Sequence, residues 1–246
     1  VTGEVYTETY DKLVLSPGAV PVRPKSIEGI QGEQVFTIRN VDDIVRVKTY
    51  LDRKNCKNVA VIGGGFIGIE CVENLKKAGK YVSLIEAADQ IMMPFDYDMV
   101  QTLQKEMYDQ GVDMHLSGKV TAITENAVLY EKDGRTYSVD ADAVVLAIGV
   151  APETKLAKDA GLEIGKTGAI KVNDVFQTND PDIYAIGDAI ELVNRITGEP
   201  GRLALAGPAQ KQARAAVNHM CGIAESGNSL SYLGSSCIRI FGLNAA

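Results

Sequence analysis

The chain contains few of the residues that build metal sites and disulfide frameworks. It has no tryptophan and only two histidines, His115 and His219. Its four cysteines form no C-x-x-C pair and show no zinc-ligand spacing; they are Cys56, Cys71, Cys221 and Cys237. We therefore predict no metal site. Cysteines used as small apolar groups are typical of a reducing compartment, so we expect a cytoplasmic protein.

Long apolar runs and an excess of positive charge are also absent. No apolar run reaches the ~18 residues of a membrane span, so the sequence predicts no membrane partner. The net charge of −7 argues against binding to nucleic acid. A length of 246 residues with 46% apolar content suffices for one large domain or two of ordinary size. Because the first residue is Val1 and the last ones form an apolar, strand-like run, we expect a piece of a longer protein.

One stretch, from Asn58 to Glu86, has the order of elements that binds a dinucleotide. A short run rich in β-branched residues, 59–62, predicts a buried parallel strand. The next six residues, 63–68, fit G-x-G-x-x-G, and a helix follows. A second strand, 81–85, then ends in the acidic residue. Apolar residues three or four apart predict the buried face of the helix; they are Ile67, Cys71, Leu75 and Ala78.

Each part of this stretch has a physical role in holding a dinucleotide. Gly63 permits the tight turn, Gly65 lets a pyrophosphate approach bare backbone, and Gly68 lets the helix pack closely on the sheet. Ile67 lies between these glycines and joins the predicted cofactor-binding positions. Glu86 lies 86 − 68 = 18 residues beyond the last glycine, close to the ~20 expected for the acid that binds the ribose hydroxyls. Its carboxylate favours NAD(H) over NADP(H), because it would repel a 2′-phosphate.

The surrounding pattern predicts an α/β fold with this stretch at the centre of a parallel sheet. Before it, residues 4–15 predict a β-hairpin and 23–39 a connector between domains. Helices are predicted at 41–54 and 96–110, and a meander precedes a last buried strand at 142–148. The order is βαβαβ with an inserted β-meander, a Rossmann-like domain. The first helix is expected to have Val41, Ile44, Val45 and Leu51 on one side.

The C-terminal part of the chain gives a second, shorter pattern. Residues 165–172 predict a hairpin arm, and 182–186 a strand that ends in Gly187-Asp188. Residues 226–229 suggest a linker. A helix is predicted at 208–221, with Ala209, Ala213, Val217 and Met220 on one side.

Three motifs occur in the order seen in the pyridine nucleotide–disulfide oxidoreductases: LVLSPGA at 13–19, VIGGGFIGIE at 61–70 and IYAIGDA at 183–189. The chain resembles this family over nearly its whole length, and within it the branch of NADH oxidase, NADH peroxidase and coenzyme A–disulfide reductase. The resemblance implies an FAD-binding domain interrupted by an NAD-binding domain and followed by a dimerisation domain. The implied boundaries are 1–39 and 155–225 for a partial FAD-binding domain, 40–154 for the NAD-binding domain, and 226–246 for a linker and the start of the dimerisation domain.

The resemblance also assigns roles to residues near the two glycine-containing turns. Phe66 matches an aromatic residue that lies over the flavin and moves aside for nicotinamide, although a core aromatic would give the same pattern. Glu70 matches an acid beside the nicotinamide, and a carboxylate one turn into a helix is equally expected as a partner of the helix dipole. Gly149 would contact cofactor at the carboxyl edge of the sheet, or only end a strand. Gly187 and Asp188 would hold the ribityl chain of FAD, with a helix cap as the alternative for the aspartate.

The implied function is FAD-dependent oxidation of NADH, with NAD(H) and FAD as cofactors and a homodimer as the full-length assembly. The sequence does not specify the electron acceptor, which could be a disulfide, a peroxide or oxygen. The family's N-terminal glycine motif and redox cysteine do not occur in these 246 residues, so this chain would supply the NADH-binding part and be inactive alone. Two alternatives stay open: an NADH-dependent reductase of ferredoxin or rubredoxin, and a dinucleotide-binding module without redox turnover.

Overall fold

The computed structural model describes residues 3–223 and 231–246, and the predicted linker at 226–229 lies outside these ranges. The chain forms two compact units. Unit 1 comprises Val1–Val20 and Ala151–Ser235, and unit 2 comprises Pro21–Val150 and Ser236–Ala246. The chain therefore passes from one unit to the other three times, and neither unit is continuous in sequence.

Helices and short strands alternate along most of the chain. The helices are α1 (Val41–Arg53), α2 (Phe66–Lys77), α3 (Tyr97–Asp109), α4 (Lys155–Asp159) and α5 (Ala206–Met220), with a 3-10 turn at Gly187–Ala189. The strands are β1 (Leu13–Leu15), β2 (Ala19–Pro21), β3 (Val35–Thr37), β4 (Asn58–Ile62), β5 (Tyr81–Ile85), β6 (Asp113–His115), β7 (Lys119–Ile123), β8 (Ala127–Lys132), β9 (Arg135–Asp140), β10 (Ala143–Leu146), β11 (Val150–Pro152), β12 (Ile183–Ala185), β13 (Leu192–Asn194), β14 (Pro200–Gly201), β15 (Ser231–Tyr232), β16 (Ile238–Ile240) and β17 (Leu243–Ala245).

The centre of unit 2 is a five-stranded parallel sheet in the order β3–β10–β4–β5–β6. β4 and β10 are buried along almost their whole length, as expected for strands covered on both faces. α2 connects β4 to β5, α3 connects β5 to β6, and the meander β7–β8–β9 precedes β10. The predicted α/β fold, a Rossmann-like sheet with an inserted meander, is confirmed. Since the strands are parallel, the residues that follow β4 and β5 meet at the carboxyl edge of the sheet.

The predicted face of the helix that follows the glycine motif is only partly correct: Leu75 is buried and Cys71 packs against the core, but Ile67 and Ala78 are exposed. Ile69, Val72 and Leu75 lie in the core of unit 2, whereas Ile67 is 41% exposed. A Cβ on Gly68 would lie within 2 Å of the β4–α2 turn. This close approach of helix to sheet, which the apolar spacing does not encode, sets the rotation of α2.

The predicted face of α1 is also only partly correct. Val47 and Leu51 are buried, but Val41, Ile44 and Val45 are exposed. Because α1 contacts β3, which is the edge strand of the sheet, only a narrow stripe of the helix is covered. A capping box at Asn40 and Asp43 fixes the start of the helix independently of this packing.

Residues 23–39, predicted to be a connector, instead contribute to unit 2. β3 extends the parallel sheet by pairing with β10. Ile30 and Val35 lie in a buried cluster shared with the meander, and the guanidinium of Arg23 donates hydrogen bonds to both of their carbonyl oxygens at 3.2 Å. The proline and glycine content of the segment suggested a linker, but its apolar residues fill core space.

The C-terminal hairpin β16–β17 completes the core of unit 2. Ile238 and Ile240 are 5% and 1% exposed and belong to the same cluster as the apolar face of α2. Glu73 of α2, itself only 9% exposed, accepts a hydrogen bond from the backbone N–H of Phe241 at 3.1 Å and pairs with Lys77 at 2.7 Å. The assignment of residues 226–246 to a linker and a dimerisation domain stays a prediction.

Unit 1 contains shorter sheets. β1 and β12 pair in parallel over three residues, and β13 pairs with β14 and β15. The predicted hairpin at 4–15 is wrong, since the described residues 3–12 contain no strand, but its second, apolar strand is present as β1. The partner of β1 lies far away in sequence, and such a pairing leaves no local pattern. The predicted hairpin arm at 165–172 is reduced to a single bridge between Ile164 and Ile170.

The last helix of unit 1 buries a stripe that contains a polar residue. Gln212, Ala215 and Ala216 are buried, whereas Val217 is 49% exposed. The predicted side of α5 is therefore rotated from the observed one. A periodicity of apolar residues alone misses it, because the buried glutamine makes a specific hydrogen bond to the 3-10 turn.

Candidate functional site

The glycine turn connects β4 to α2 at the carboxyl edge of the unit 2 sheet. Gly63 has a φ of +108°, and a Cβ there would lie 2.4 Å from the carbonyl oxygen of Ala147. A Cβ on Gly68 would lie 1.9 Å from the carbonyl oxygen of Gly63. Both glycines are therefore required by the fold itself, the first by the turn and the second by the close packing of α2.

Gly65 differs from these two glycines, because nothing in the fold requires it. Its φ of −80° is open to any residue, and no atom of the described residues lies within 4 Å of a Cβ added there. Gly65 is also the N-cap of α2, whose first backbone N–H groups have no partner inside the helix. The glycine thus leaves free space in front of a helix N-terminus, where a phosphate binds well.

Glu86 reaches back to the same turn from the end of β5. Its Oε2 accepts a hydrogen bond from the N–H of Gly64 at 2.5 Å, and its Oε1 accepts one from the N–H of Ala88 at 2.7 Å. A Cβ on Gly64 would lie 3.2 Å from Oε2, so the absence of a side chain makes room for the carboxylate. Each oxygen retains acceptor capacity for a further hydrogen bond. The arrangement fits a dinucleotide whose phosphates lie at Gly65 and whose ribose hydroxyls lie at this carboxylate.

Three further predicted site residues lie in the first turns of α2. Phe66 is half-buried, and its ring centroid lies 6.2 Å from that of Phe95. Ile67 and Glu70 are exposed. Because residues four apart share a helix face, Phe66 and Glu70 lie on one side. The carboxylate of Glu70 makes no hydrogen bond or ion pair within the part of the chain that the structure describes.

Gly149 follows β10, the strand beside β4. Its φ is +104°, so a non-glycine residue would be strained there. Its carbonyl oxygen accepts a hydrogen bond from the N–H of Val22 at 3.0 Å, and a Cβ would meet no atom of the described residues within 4 Å. The turn alone explains the glycine, and its contact with cofactor stays a prediction.

Gly187 and Asp188 form the corresponding turn in unit 1, after β12. Gly187 has a φ of +75°, and its N–H donates to Oε1 of Gln212 at 2.7 Å. Asp188 is half-buried, and no hydrogen bond to its carboxylate occurs within residues 3–223 and 231–246. This free acceptor fits a hydroxyl group of a ligand such as the ribityl chain. Sequence reasoning missed Gln212, although a glutamine three residues from both Ala209 and Ala215, on one side of an amphipathic helix, was the available signal.

The two histidines each bind a buried tyrosine. In unit 1, Nδ1 of His219 lies 2.7 Å from the hydroxyl of Tyr184. In unit 2, Nδ1 of His115 lies 2.8 Å from the hydroxyl of Tyr130, and its Nε2 lies 2.8 Å from Asp113. Burial, with a smaller contribution from Asp113, raises the pKa of Tyr130.

Cys56 and Cys71 do not have the properties of redox nucleophiles. All four are free, and Cys56 is buried. Burial, aided by the neighbouring charge of Glu70, raises the pKa of Cys71 to about 11, whereas reactive cysteines have lowered values. Within residues 3–223 and 231–246 no group of three His, Cys, Asp or Glu is placed to hold a metal ion. In the same residues, every helix is too short or too polar to cross a membrane.

Known proteins share both the sequence and the fold. The profile of the family described as pyridine nucleotide-disulphide oxidoreductase matches residues 1–213. NADH oxidase of Methanocaldococcus jannaschii is 38% identical over 224 residues, 90% of this chain and 49% of that protein. The structure of reduced Bacillus anthracis CoADR-RHD is 44% identical with a TM-score of 0.92, covering 99% of this chain and 43% of that one. The water-forming NADH oxidase from Lactobacillus brevis bound to NADH is 28% identical with a TM-score of 0.81, covering 96% and 51%.

A parallel sheet with a glycine turn at its carboxyl edge defines a Rossmann-type dinucleotide-binding domain. The chain belongs to the pyridine nucleotide-disulphide oxidoreductase family, as its three motifs predicted. Proteins of this family are oxidoreductases that depend on FAD and NAD(H). The chain spans about half the length of the curated relatives it matches.

Proposed function

We propose that this chain is the NADH-binding part of a flavin-dependent NADH oxidoreductase of the NADH oxidase or coenzyme A–disulfide reductase type. The observation that carries this proposal is the free space at Gly65. It lies in front of the N-terminus of α2 and beside the turn that the carboxylate of Glu86 reaches. A glycine that the fold does not need, at a place where phosphate binds well, is best explained by a ligand.

The residues of unit 2 would bind and orient the dinucleotide. The backbone N–H groups at the start of α2, including that of Ile67, would donate hydrogen bonds to the pyrophosphate. The carboxylate of Glu86 would accept hydrogen bonds from the ribose hydroxyls. Phe66 and Glu70, on one side of α2, would position the nicotinamide, and Gly149 would face it from the end of the neighbouring strand. When bound, NADH supplies the hydride and FAD accepts it. The protein contributes orientation and electrostatics.

The residues of unit 1 would hold part of the flavin cofactor. The carboxylate of Asp188 would accept a hydrogen bond from a ribityl hydroxyl. Gly187 permits the turn because it adopts a positive φ. On this proposal, segments 1–20 and 151–225 belong to a partial FAD-binding domain and 21–150 to the NAD-binding domain, in place of the boundaries at 39 and 154 that the sequence suggested. The proposed electron acceptor is a disulfide, a peroxide or oxygen. The homodimer and the cytoplasmic location stay predictions.

The proposal is tested by titrating the chain with NADH and NADPH in a calorimeter. In NADPH a 2′-phosphate replaces the hydroxyl that would donate a hydrogen bond to Glu86, and the carboxylate repels its charge. NADH should therefore bind about 10- to 100-fold more tightly. Glu86→Ser should reduce this preference to within a few-fold. Glu131→Ser, which removes an exposed carboxylate from the meander strand β8, is the matched control and should leave the preference unchanged.

Equal affinities for the two cofactors in the unmodified chain, or tighter binding of NADPH, would contradict the role of Glu86. Binding of neither would remove the NADH site altogether. A full-length protein that purifies without yellow flavin, or that carries flavin but does not oxidise NADH, would favour the non-catalytic binding module over the enzyme.

A further inference from the structure

We propose that Phe95 is a positioning residue: it holds the ring of Phe66 beside the glycine turn and so sets how the nicotinamide end of NADH is received. The inference rests on the proposed NADH site in unit 2. It adds a residue that comes from a different element, the segment between β5 and α3, and that no sequence motif singles out.

The two rings close a circuit of contacts around the glycine turn. Phe66 follows Gly64 and Gly65 directly in the chain, at the first position of α2. Its ring lies 6.2 Å from that of Phe95, tilted by 54°, within the range of favourable aromatic pairs. The N–H of Phe95 donates to the carbonyl oxygen of Met92 at 2.8 Å, and the N–H of Met92 donates to the carbonyl oxygen of Gly64 at 2.8 Å. The circuit therefore returns to the turn from which it started.

The segment that carries Phe95 is itself firmly held. Nε2 of Gln90 donates to the carbonyl oxygen of Phe95 at 2.9 Å. Oε1 of Gln104, on α3, accepts the N–H of Ile91 at 3.3 Å. Both glutamine side chains belong to buried residues, 7% exposed each. Buried amides with these bonds fix a loop well, because leaving them unpaired would be costly.

The backbone of Met92 shows that this loop contains conformational strain. It is 1% exposed and has a φ of +49°, in the left-handed region that side chains disfavour. Such conformations persist where the surroundings over-determine them, and they concentrate at binding sites. Here the loop could relax only by giving up the hydrogen bond to the glycine turn. The loop therefore holds Phe95 in a fixed position. The contact between the two rings then limits the rotamers open to Phe66.

The chemical consequence falls on one end of the ligand. The phosphates and the adenosine ribose would contact Gly65 and Glu86. The nicotinamide would extend beyond the turn, on the side where Phe66 begins α2. Without Phe95 the ring of Phe66 could occupy the space that the nicotinamide needs, and displacing it would cost part of the binding free energy of NADH. Loss of Phe95 should therefore weaken NADH but spare a ligand that ends at the second ribose.

The test compares NADH with ADP-ribose, which has the same adenosine and pyrophosphate but no nicotinamide. Both are titrated by calorimetry into the unmodified chain and into Phe95→Leu. We expect NADH to weaken by about 3- to 10-fold and ADP-ribose by less than about 2-fold, the size of one lost aromatic contact. Phe95→Tyr keeps the ring and should restore the original ratio. Tyr50→Leu is the matched control, because it breaks a different aromatic pair of unit 2, the one with Phe36 at 5.1 Å.

Each outcome decides the inference. An unchanged ratio in Phe95→Leu, or a tighter NADH, overturns it while leaving the NADH site intact. A ratio that also changes in Tyr50→Leu attributes the effect to general loosening of unit 2 and overturns it as well. An unmodified chain that binds neither ligand overturns the NADH site and this inference together. If Phe95→Leu does not fold, Phe66→Leu must show the same selective loss of NADH, and equal loss of both ligands there overturns the proposal.

Discussion

The two units contain the same local device, a positive-φ glycine at the end of a buried parallel strand. In unit 2, Gly63 has a φ of +108° and leads directly into the long helix α2. In unit 1, Gly187 has a φ of +75° but leads into a 3-10 turn of three residues. Unit 2 places its turn on a five-stranded sheet, whereas the strand before Gly187 lies in a sheet of two strands within the described residues. Within the described residues, the turn of unit 2 therefore has the sheet of a Rossmann-type domain behind it, and the turn of unit 1 does not.

The two turns also differ in what holds their backbone. The N–H of Gly64 is bound by Glu86, the same carboxylate that would bind the ribose. The N–H of Gly187 is bound by the neutral amide of Gln212, and the nearby Asp188 is left free. If the proposed sites are correct, one residue would serve both structure and recognition in unit 2, whereas unit 1 would divide these tasks between two residues.

The sharpest test of this comparison is to offer both cofactors to the isolated chain. Asp188 and its turn provide only a few hydrogen bonds, each worth about 1 kcal/mol net, which cannot offset the cost of association. We expect the chain to bind NADH, to show no flavin absorbance after incubation with FAD and gel filtration, and to oxidise no NADH. A bound flavin band, or turnover with oxygen or a disulfide, would contradict the distinction between the two units.

A valine at Gly65 should abolish the tight binding of NADH that we expect of unit 2. Its side chain would fill the space in front of α2, and the lost contacts to pyrophosphate should weaken NADH by about 100-fold or more. The fold should persist, because a Cβ at this position meets no atom of the described residues within 4 Å. Calorimetry and thermal unfolding measure the two effects. Gly207→Val in unit 1, where a Cβ is equally unobstructed, is the control; unchanged NADH binding in Gly65→Val would show that the phosphates lie elsewhere.

The smallest expected difference concerns the two tyrosine–histidine bonds. Tyr130→Phe in unit 2 and Tyr184→Phe in unit 1 each remove one hydrogen bond, at a cost of about 1 kcal/mol in the free energy of unfolding. The variant in unit 2 should lose more, since the side chain of His115 is only 22% exposed and His219 is exposed. Urea unfolding measures both, and a larger loss for Tyr184→Phe would reverse this ranking.

For Tyr130→Phe, the difference in the free energy of unfolding from the unmodified chain should also depend on pH. Because burial raises the pKa of Tyr130 in the folded chain, its contribution is fully present below the unfolded value of about 10 and is lost as pH rises through the folded value. Tyr130→Phe should therefore lose less stability than the unmodified chain between neutral pH and the alkaline side of pH 10. Parallel losses in the two proteins would contradict the shift.

The sequence predicted those parts of the molecule that depend on local order. The strand, glycine turn, helix, strand and acid between Asn58 and Glu86 occur where they were expected, because each step is decided by neighbours in the chain. The glycine spacing also predicted the close packing at Gly68, which the structure shows as a 1.9 Å approach.

The parts that failed depend on contacts between distant residues. The partner of β1 is β12, some 170 residues later, so the segment 4–15 gave a misleading local alternation. The faces of α1 and α2 were rotated because an edge strand and a glycine contact, not apolar spacing, decide what is covered. Phe95 and Gln212 were missed for the same reason: their roles exist only once another element is packed against them.

The C-terminal hairpin gives the chain a property that its linear order hides. Residues 236–246 are part of unit 2, while the segment before them, 151–235, is part of unit 1. Burial of Ile238 and Ile240 and the bond to Glu73 hold the hairpin in place, so the peptide linkage serves mainly to raise its local concentration. Residues 236–246 are thus bound to unit 2 by buried apolar side chains and a hydrogen bond, the same kinds of contact that hold two separate chains together.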